Sequence, residues 1–326
     1  MIIGLTYDLR SDYLKEGFTE EETAEFDRES TIEAIENALQ QLGYKTDRIG
    51  HVKHLLNRLV KGDRWDLVFN ICEGMYGIGR EAQVPALLDA FNIPYTFSDA
   101  LVLSLTLHKG MTKRVIRDCG LVTPDFAFIE SENDIEKVNL PCPLFVKPMA
   151  EGTGKGIDAK SKINNKNELI SVCKSLLPRF SLGLIVETFV PGREFTVGIV
   201  GTGEQARVIG TMEVILNSEA EAHSYTYLNK EKCEELVVYS IPEDETAKKC
   251  ETLALASWRC LNCRDAGRVD IRIDNTGIPN FLEINPLAGL HPEHSDLPII
   301  CNFIGIPYKN LIRQIMDSAK ERAGLT

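Results

Sequence analysis

"GRVDIRIDNTGIPNFLEINPLAGLHPEHS", residues 267–295, is the stretch on which the fold turns. Val, Ile, Phe and Leu alternate through it with Arg268, Asp270, Glu283 and Asn285, and Asn275-Thr276-Gly277 interrupts the pattern. The alternation predicts the two strands of a β-hairpin with that tripeptide as its turn. Successive strand side chains point to opposite faces, so Arg268, Asp270 and Arg272 share one face. Phe281, Glu283 and Asn285 share a face of the return strand. Counting outward from the turn brings Asp270 beside Glu283. One surface therefore collects two carboxylates, an amide oxygen and a guanidinium. Carboxylates that close repel unless a cation lies between them. An oxygen-only set suits Mg²⁺, with waters and substrate phosphates completing the octahedron. A solvated sheet face is the competing reading, and the apolar flanks of "FLEIN" speak against it.

Working outward, the first hundred residues alternate strand-like and helix-like segments. "MIIGLTYD" and "WDLVFNIC" read as buried strands, and "IPYTFS" as a short one. Ile32, Ile35, Leu39 and Leu42 recur on one helical face and Gly43 follows as a stop. This βαβαβ rhythm predicts a parallel sheet with helices on both faces. A second unit opens with one helix over "LVLSLTLHKGMTKRVIRDCG" and continues through the strands "PDFAFIES" and "PLFVKPMA" to the glycine-rich loop "EGTGKGIDA". After about Pro191 come antiparallel strands, a long polar loop from Ser218 to Glu235, a helix, the opening hairpin and a closing helix. The expected domains are 1–100, 101–187 and 188–326. A Rossmann dinucleotide site is disfavoured, because "GLTYDL" lacks the G-x-G-x-x-G needed after a first strand.

Composition narrows the partners. A net charge of −12 argues against a nucleic-acid surface. No run nears the ~20 apolar residues of a membrane span, and "MIIGLTYDLR" has no basic leader. The chain is therefore expected to be cytoplasmic, with its nine scattered cysteines as reduced thiols. Cys260 and Cys263 form a C-x-x-C without a second pair, which reads as a helix end and not as a zinc site. His291 and His294 lack a third ligand in the same way.

Several motifs in one order resemble the ATP-grasp ligases, particularly the D-alanine–D-alanine ligase branch: "VPALLDAFNIPYT" with "LTLHK", "FVKPMAEGTGKGI", "VETFVPGREFTV", "GRVDIR" and "FLEINPLAG". The likeness runs over nearly the whole chain. It implies an α/β fold, α+β in part, in which an N-terminal parallel domain precedes two α+β subdomains that clasp ATP. It also implies ATP-dependent joining of a carboxylate to an amine through an acyl phosphate, and with D-alanine as substrate a place in peptidoglycan synthesis. Lys109 and Lys147 would reach phosphate oxygens as point charges. Backbone N–H groups of Gly152, Thr153, Gly154 and Gly156 would cradle phosphate. Glu187 would accept from the adenine amino group beside Phe189 and Val190, and Glu194 would hold the ribose. Asp270, Glu283 and Asn285 would bind two Mg²⁺ ions, Mn²⁺ being the alternative. Arg268 would face the tetrahedral intermediate, and it forms the catalytic set with Thr153 and Glu73.

The substrate end departs from the family pattern. A glycine-rich first turn is missing and "TYDLRSDYLKEGFTEEETAEFDRES" stands there, with Glu25 as the positional match for an ammonium-binding acid. "CEGMYG" replaces a His-Gly pair, so Glu73 occupies a place where a carboxylate favours a cationic group. Tyr225, Tyr227 and Lys230 are expected on a lid that keeps water from the acyl phosphate. Gly289 and Ser295 are expected at the second substrate's carboxylate, with a helix N-cap as the other reading of Ser295. The substrates are small molecules, D-alanine or the partners of a sister ligase, and the resemblance implies a homodimer. A nucleotide-binding protein without ligase activity is the alternative from another class.

Overall fold

The computed structural model describes residues 1–217, 220 and 233–325. Strands β1 (Ile2–Tyr7), β2 (Lys45–Arg48) and β3 (Leu67–Ile71) form a parallel sheet of order β2-β1-β3. Helices α1 (Arg10–Lys15), α2 (Glu29–Gln41), α3 (Val52–Val60) and α4 (Gln83–Ala90) accompany it. Residues 67–71 are all buried, as a strand covered on both faces requires. The strand expected at "IPYTFS" is reduced to a single bridge between Val68 and Tyr95.

The one helix expected over 101–120 is two, α5 (Ala100–Leu107) and α6 (Lys109–Asp118). His108 breaks them with ψ 89°, and its Nδ1 accepts from the Met111 N–H at 3.3 Å, capping α6. A hydrophobic period does not register a break that keeps both halves buried. This one places Lys109 at the start of a helix.

Strands β4 (Phe126–Ile129), β5 (Leu144–Pro148), β6 (Lys162–Ile163) and β7 (Leu184–Thr188) form an antiparallel sheet of order β4-β7-β5-β6, with α7 (Glu132–Ile135) and α8 (Lys166–Leu176) packed on it. The third sheet joins β8 (Glu194–Val200), β9 (Arg207–Leu216), β10 (Val237–Ser240), β11 (Ala266–Ile273) and β12 (Pro279–Asn285) in the order β10-β9-β8-β11-β12. Helix α9 (Cys233–Leu236) takes the end of the span expected to be loop. Helices α10 (Glu245–Cys260), α11 (Asp296–Phe303) and α12 (Tyr308–Arg322) complete the order. Among the described residues no helix is long and apolar enough to cross a membrane.

One hydrophobic core unites the N-terminal sheet and α2 with the last helix: Ile32, Ile35 and Leu39 pack with Leu311, Ile315 and Met316. The cysteine expectation needs correcting. Cys119, after α6, and Cys260, ending α10, form a disulfide across 141 residues. Only tertiary packing brings their Cα atoms to 6.6 Å, which no local spacing could signal.

Candidate active site

In the hairpin Asp270 comes together with Glu283, as expected, and Arg268 pairs with Asn285. Asp274 closes the turn, accepting from the Thr276 and Ile278 N–H groups, and Gly277 adopts φ 82°. The return strand is not regular, however. Asp270 opposes Glu283 but Ile271 opposes Phe281, so Leu282 is an extra residue in a bulge. Phe281 therefore turns into the core with Val269, Ile271 and Ile284, instead of sharing a face with Glu283. Leu282 joins Glu283 in a cavity wall.

Asp270 accepts from Thr196 Oγ1 at 2.9 Å and pairs with Arg268. Arg268 also reaches Asp296 Oδ2 at 3.3 Å. Burial alone would lower the guanidinium pKa, but Asp270 and Asp296 more than offset it and hold the pKa above its ordinary value. Asp296 was missed because an acid in a helix's first turn reads as an ordinary N-terminal residue.

The central and C-terminal sheets face each other across a cavity walled by Lys147, Glu187, Phe189 and Val190 on one side and Glu194, Asp270 and Glu283 on the other. Lys147 Nζ lies 3.1 Å from Glu187 Oε2, and Lys113 Nζ lies 2.8 Å from Glu187 Oε1. Both carboxylate oxygens expected to read adenine are thus engaged by ammonium groups. Burial would raise the Glu187 pKa, yet the two lysines bring it below the usual value. Lys113 was missed, although Lys109, Lys113 and Ile116 share one helical stripe and all are buried. Glu194 faces Arg272 at 3.7 Å. Phe189 lies under Lys162 and Arg272, 4.7 and 5.4 Å from its ring centroid. Lys109 donates to the Glu151 carbonyl at 2.7 Å and lies 3.3 Å from Glu283 Oε2.

In the glycine-rich loop, Thr153, Gly154 and Gly156 have φ 54°, 73° and 70°, a left-handed run that Gly tolerates and Thr rarely adopts. One of the four expected phosphate contacts is already engaged, and Gly156 has no room for a side chain. The Gly152 N–H donates to Glu25 Oε1 at 2.7 Å. A Cβ on Gly156 would sit 2.6 Å from Phe180 and 2.8 Å from Pro148. Gly154 lines the cavity between the sheets, and Thr153 lines a second one.

That second cavity, of about 410 Å³, reaches the N-terminal domain and carries Glu25, Glu73, Arg268, Asn285, Gly289 and Ser295 in its wall. Lys109 and Glu283 line both. Glu25 pairs with Arg80 and, at 3.1 Å, with Lys155. Burial would raise its pKa, but these cations pull it down to about 2. It stands as an ion-pair hub and not as an open ammonium acceptor. Glu73 and Glu81 make no hydrogen bond or ion pair among the described residues. Desolvation raises both; the Glu81 charge adds to the rise at Glu73, and Glu81 is pushed up to about 7. Ser295 takes the N-cap position of α11, but its Oγ accepts from the His291 N–H at 2.9 Å and caps nothing. A Cβ on Gly289 would fall 2.8 Å from that Oγ. The expected lid residues Tyr225, Tyr227 and Lys230 lie outside the described residues.

Residues 115–317 match the family model "D-ala D-ala ligase C-terminus". The chain is 30% identical over 260 residues to a D-alanine–D-alanine ligase of Cupriavidus taiwanensis, covering 78% of this chain and 76% of that one. It is 31% identical over 304 residues to the uncharacterized protein y4sG of Sinorhizobium fredii, covering 89% and 87%. The crystal structure of a Bacillus anthracis D-alanine–D-alanine ligase complexed with ATP superposes with a TM-score of 0.75 at 21% identity over 99% of both chains. The VanG D-Ala:D-Ser ligase of Enterococcus faecalis superposes with 0.74 at 20% identity, over 98% of this chain and 99% of that one.

Proposed function

We propose, from the premise that this chain belongs to the D-alanine–D-alanine ligase family of ATP-grasp enzymes, that it joins an amino-acid carboxylate to an amine through an acyl phosphate made from ATP. A carboxylate oxygen attacks the γ-phosphorus and ADP leaves. The amine nitrogen then attacks the acyl carbon and inorganic phosphate leaves. The observation that carries this reading is the pairing of Asp270 with Glu283 on a wall that faces Lys147, with Lys109 reaching Glu283 from a third element. Two ammonium groups opposite two carboxylates suit a polyphosphate and its counter-cation. Lys109 and Lys147 would bind and orient the phosphates, while Arg268 would stabilise the oxyanion formed at the acyl carbon.

Mg²⁺ fits the donor set. Among the described residues no three His, Cys, Asp or Glu side chains gather to hold a metal. Two carboxylates and one amide are therefore the available ligands, in keeping with a hard ion that keeps waters and phosphate oxygens. The Nδ2 of Asn285 is a buried donor without a protein partner, which suits an acceptor such as a phosphate oxygen, leaving its Oδ1 as the ligand a metal would use. Asp270, Glu283 and Asn285 would hold two Mg²⁺ ions, or Mn²⁺, which when bound would neutralise phosphate charge.

Two D-alanines are the first substrate reading, from the relatives. A second reading, a sister ligase, is favoured by the cavity wall. Arg268 is already met by two carboxylates, and Glu73 and Glu81 face the cavity with no ion pair of their own among the described residues, although the Arg80 charge acts on both. Such a wall favours an amine substrate bearing a further positive group. ADP release over a panel of D-, L- and dibasic amino acids, with Mg²⁺, separates the two. Turnover with D-alanine alone establishes the first, turnover confined to dibasic partners establishes the second, and no ADP with any pair sinks the ligase reading. The homodimer belongs to this proposal and is tested by sedimentation.

A further inference from the structure

Resting on the ATP-binding reading above, we propose that Lys113 is a positioning residue for the magnesium-nucleotide complex. Its ammonium ties strand β12, at the bulge that turns Glu283 into the cavity, to Glu187 of the central sheet. Lys113 is fully buried. Its Nζ donates to Thr123 Oγ1 at 2.8 Å and to the Phe281 carbonyl at 3.2 Å, and forms an ion pair with Glu187 Oε1 at 2.8 Å. The partners belong to three segments: the loop before β4, the edge strand β12, and β7.

Phe281 immediately precedes the bulged Leu282 and is held from the same side three ways. Its N–H donates to the Val122 carbonyl at 2.9 Å, and its carbonyl accepts from Thr123 Oγ1 at 2.8 Å and from Lys113. An edge strand offers unpaired backbone groups. Here the loop before β4 takes them at the residue that immediately precedes the bulge. The Glu187 carboxylate that Lys113 binds is shared with Lys147. Lys113 therefore sets the span between a phosphate-side lysine and a metal-side carboxylate on opposite walls of one cavity.

Packing alone does not call for this charge. Burying an ammonium is costly, and replacing a whole buried ion pair by apolar side chains of similar volume is often neutral or stabilising. What such a side chain could not supply is a fixed distance from Glu187 to the β12 backbone. Lys113 is enclosed away from the cavity surface, so its influence passes through Glu187, Lys147 and Glu283.

The test measures binding of Mg²⁺ with the nonhydrolysable analogue AMP-PNP by calorimetry, and the half-saturating Mg²⁺ concentration, for the full chain and Lys113→Met. A folded Lys113→Met should bind roughly tenfold or more weakly and need severalfold more Mg²⁺, the size seen when groups behind metal ligands are removed. A folded variant with a lowered melting temperature but unchanged affinity and Mg²⁺ demand overturns the proposal, because a merely structural lysine would do that. Should Lys113→Met not fold, Thr123→Val decides. It removes the hydroxyl that links Lys113 to the Phe281 carbonyl, and it should still raise the Mg²⁺ demand; no change overturns the proposal. A wild type that binds Mg²⁺·AMP-PNP but releases no ADP with any substrate pair sinks the ligase reading, and the binding shift still decides on Lys113. A wild type that binds no nucleotide overturns both.

Discussion

Glu283 shows how much one side chain is asked to do. It opposes Asp270 across the hairpin and faces Lys109 at 3.3 Å. Glu283→Gln keeps size and hydrogen bonding but removes the charge. It should leave the melting temperature near wild type while lowering turnover by roughly a hundredfold or more, because charge neutralisation at the phosphates contributes several kcal/mol. Near-normal ADP release at limiting Mg²⁺ would refute the metal assignment. Glu25 makes a separate prediction through pH. Its pKa falls from 4.5 to about 2 on folding, so the folded state favours its charged form. The stabilisation is full above about pH 4.5 and is lost as pH falls toward 2. The stability difference between wild type and Glu25→Gln, from urea unfolding, should be flat at neutral pH and shrink below pH 4.5. A difference that grows on acidification would contradict the ion-pair geometry.

Among the elements, the hairpin was the most legible, because one strongly periodic pattern with a marked turn needs no partner to be recognised. Its bulge was not. A single extra residue leaves the apolar count of "FLEIN" unchanged but moves Phe281 across the sheet. The break between α5 and α6 was hidden for the same reason, since both halves stay apolar on the buried side. Gly267, which opens the hairpin, links element to site. A Cβ there would lie 2.4 Å from the Asn285 carbonyl oxygen and 2.6 Å from the Trp258 ring. Gly267→Ala should push β12 away and lower stability by about 1–3 kcal/mol, read as a shift in the urea midpoint. The same variant should weaken Mg²⁺ binding through Asn285 and raise the Mg²⁺ concentration needed. A wild-type midpoint would show that the strands do not approach as described.

Over the whole molecule, Asp265 joins regions far apart in the chain. Fully buried, it accepts from the Phe97 N–H at 2.7 Å, from Ser318 Oγ at 2.8 Å and from Arg322 at 2.8 Å. It thereby ties Phe97, which follows the N-terminal sheet, and the last helix to the start of β11. Asp265→Ala leaves a buried N–H and a cation without their acceptor. It should cost about 3 kcal/mol or more, and thermal unfolding should show it as one lowered transition, since the N-terminal sheet and α12 share a core. Two well-separated transitions would instead mean that this junction does not couple the domains.

The sequence by itself determined the α/β alternation of the first hundred residues, the hairpin face bearing Asp270 and Glu283, and the family to which "FVKPMAEGTGKGI" and "FLEINPLAG" belong. These are local patterns, legible because the side-chain period of a strand or helix is set by backbone geometry alone. Only the tertiary structure decided the partners: Glu25 with Arg80 and Lys155, Glu187 with Lys113 and Lys147, Arg268 with Asp296, Cys119 with Cys260. Whether a buried charge waits for a ligand or is already neutralised depends on distances of a few ångströms between segments tens to more than a hundred residues apart in most of these pairs. Those distances come from the packing of whole sheets against one another, which periodicity along the chain does not encode.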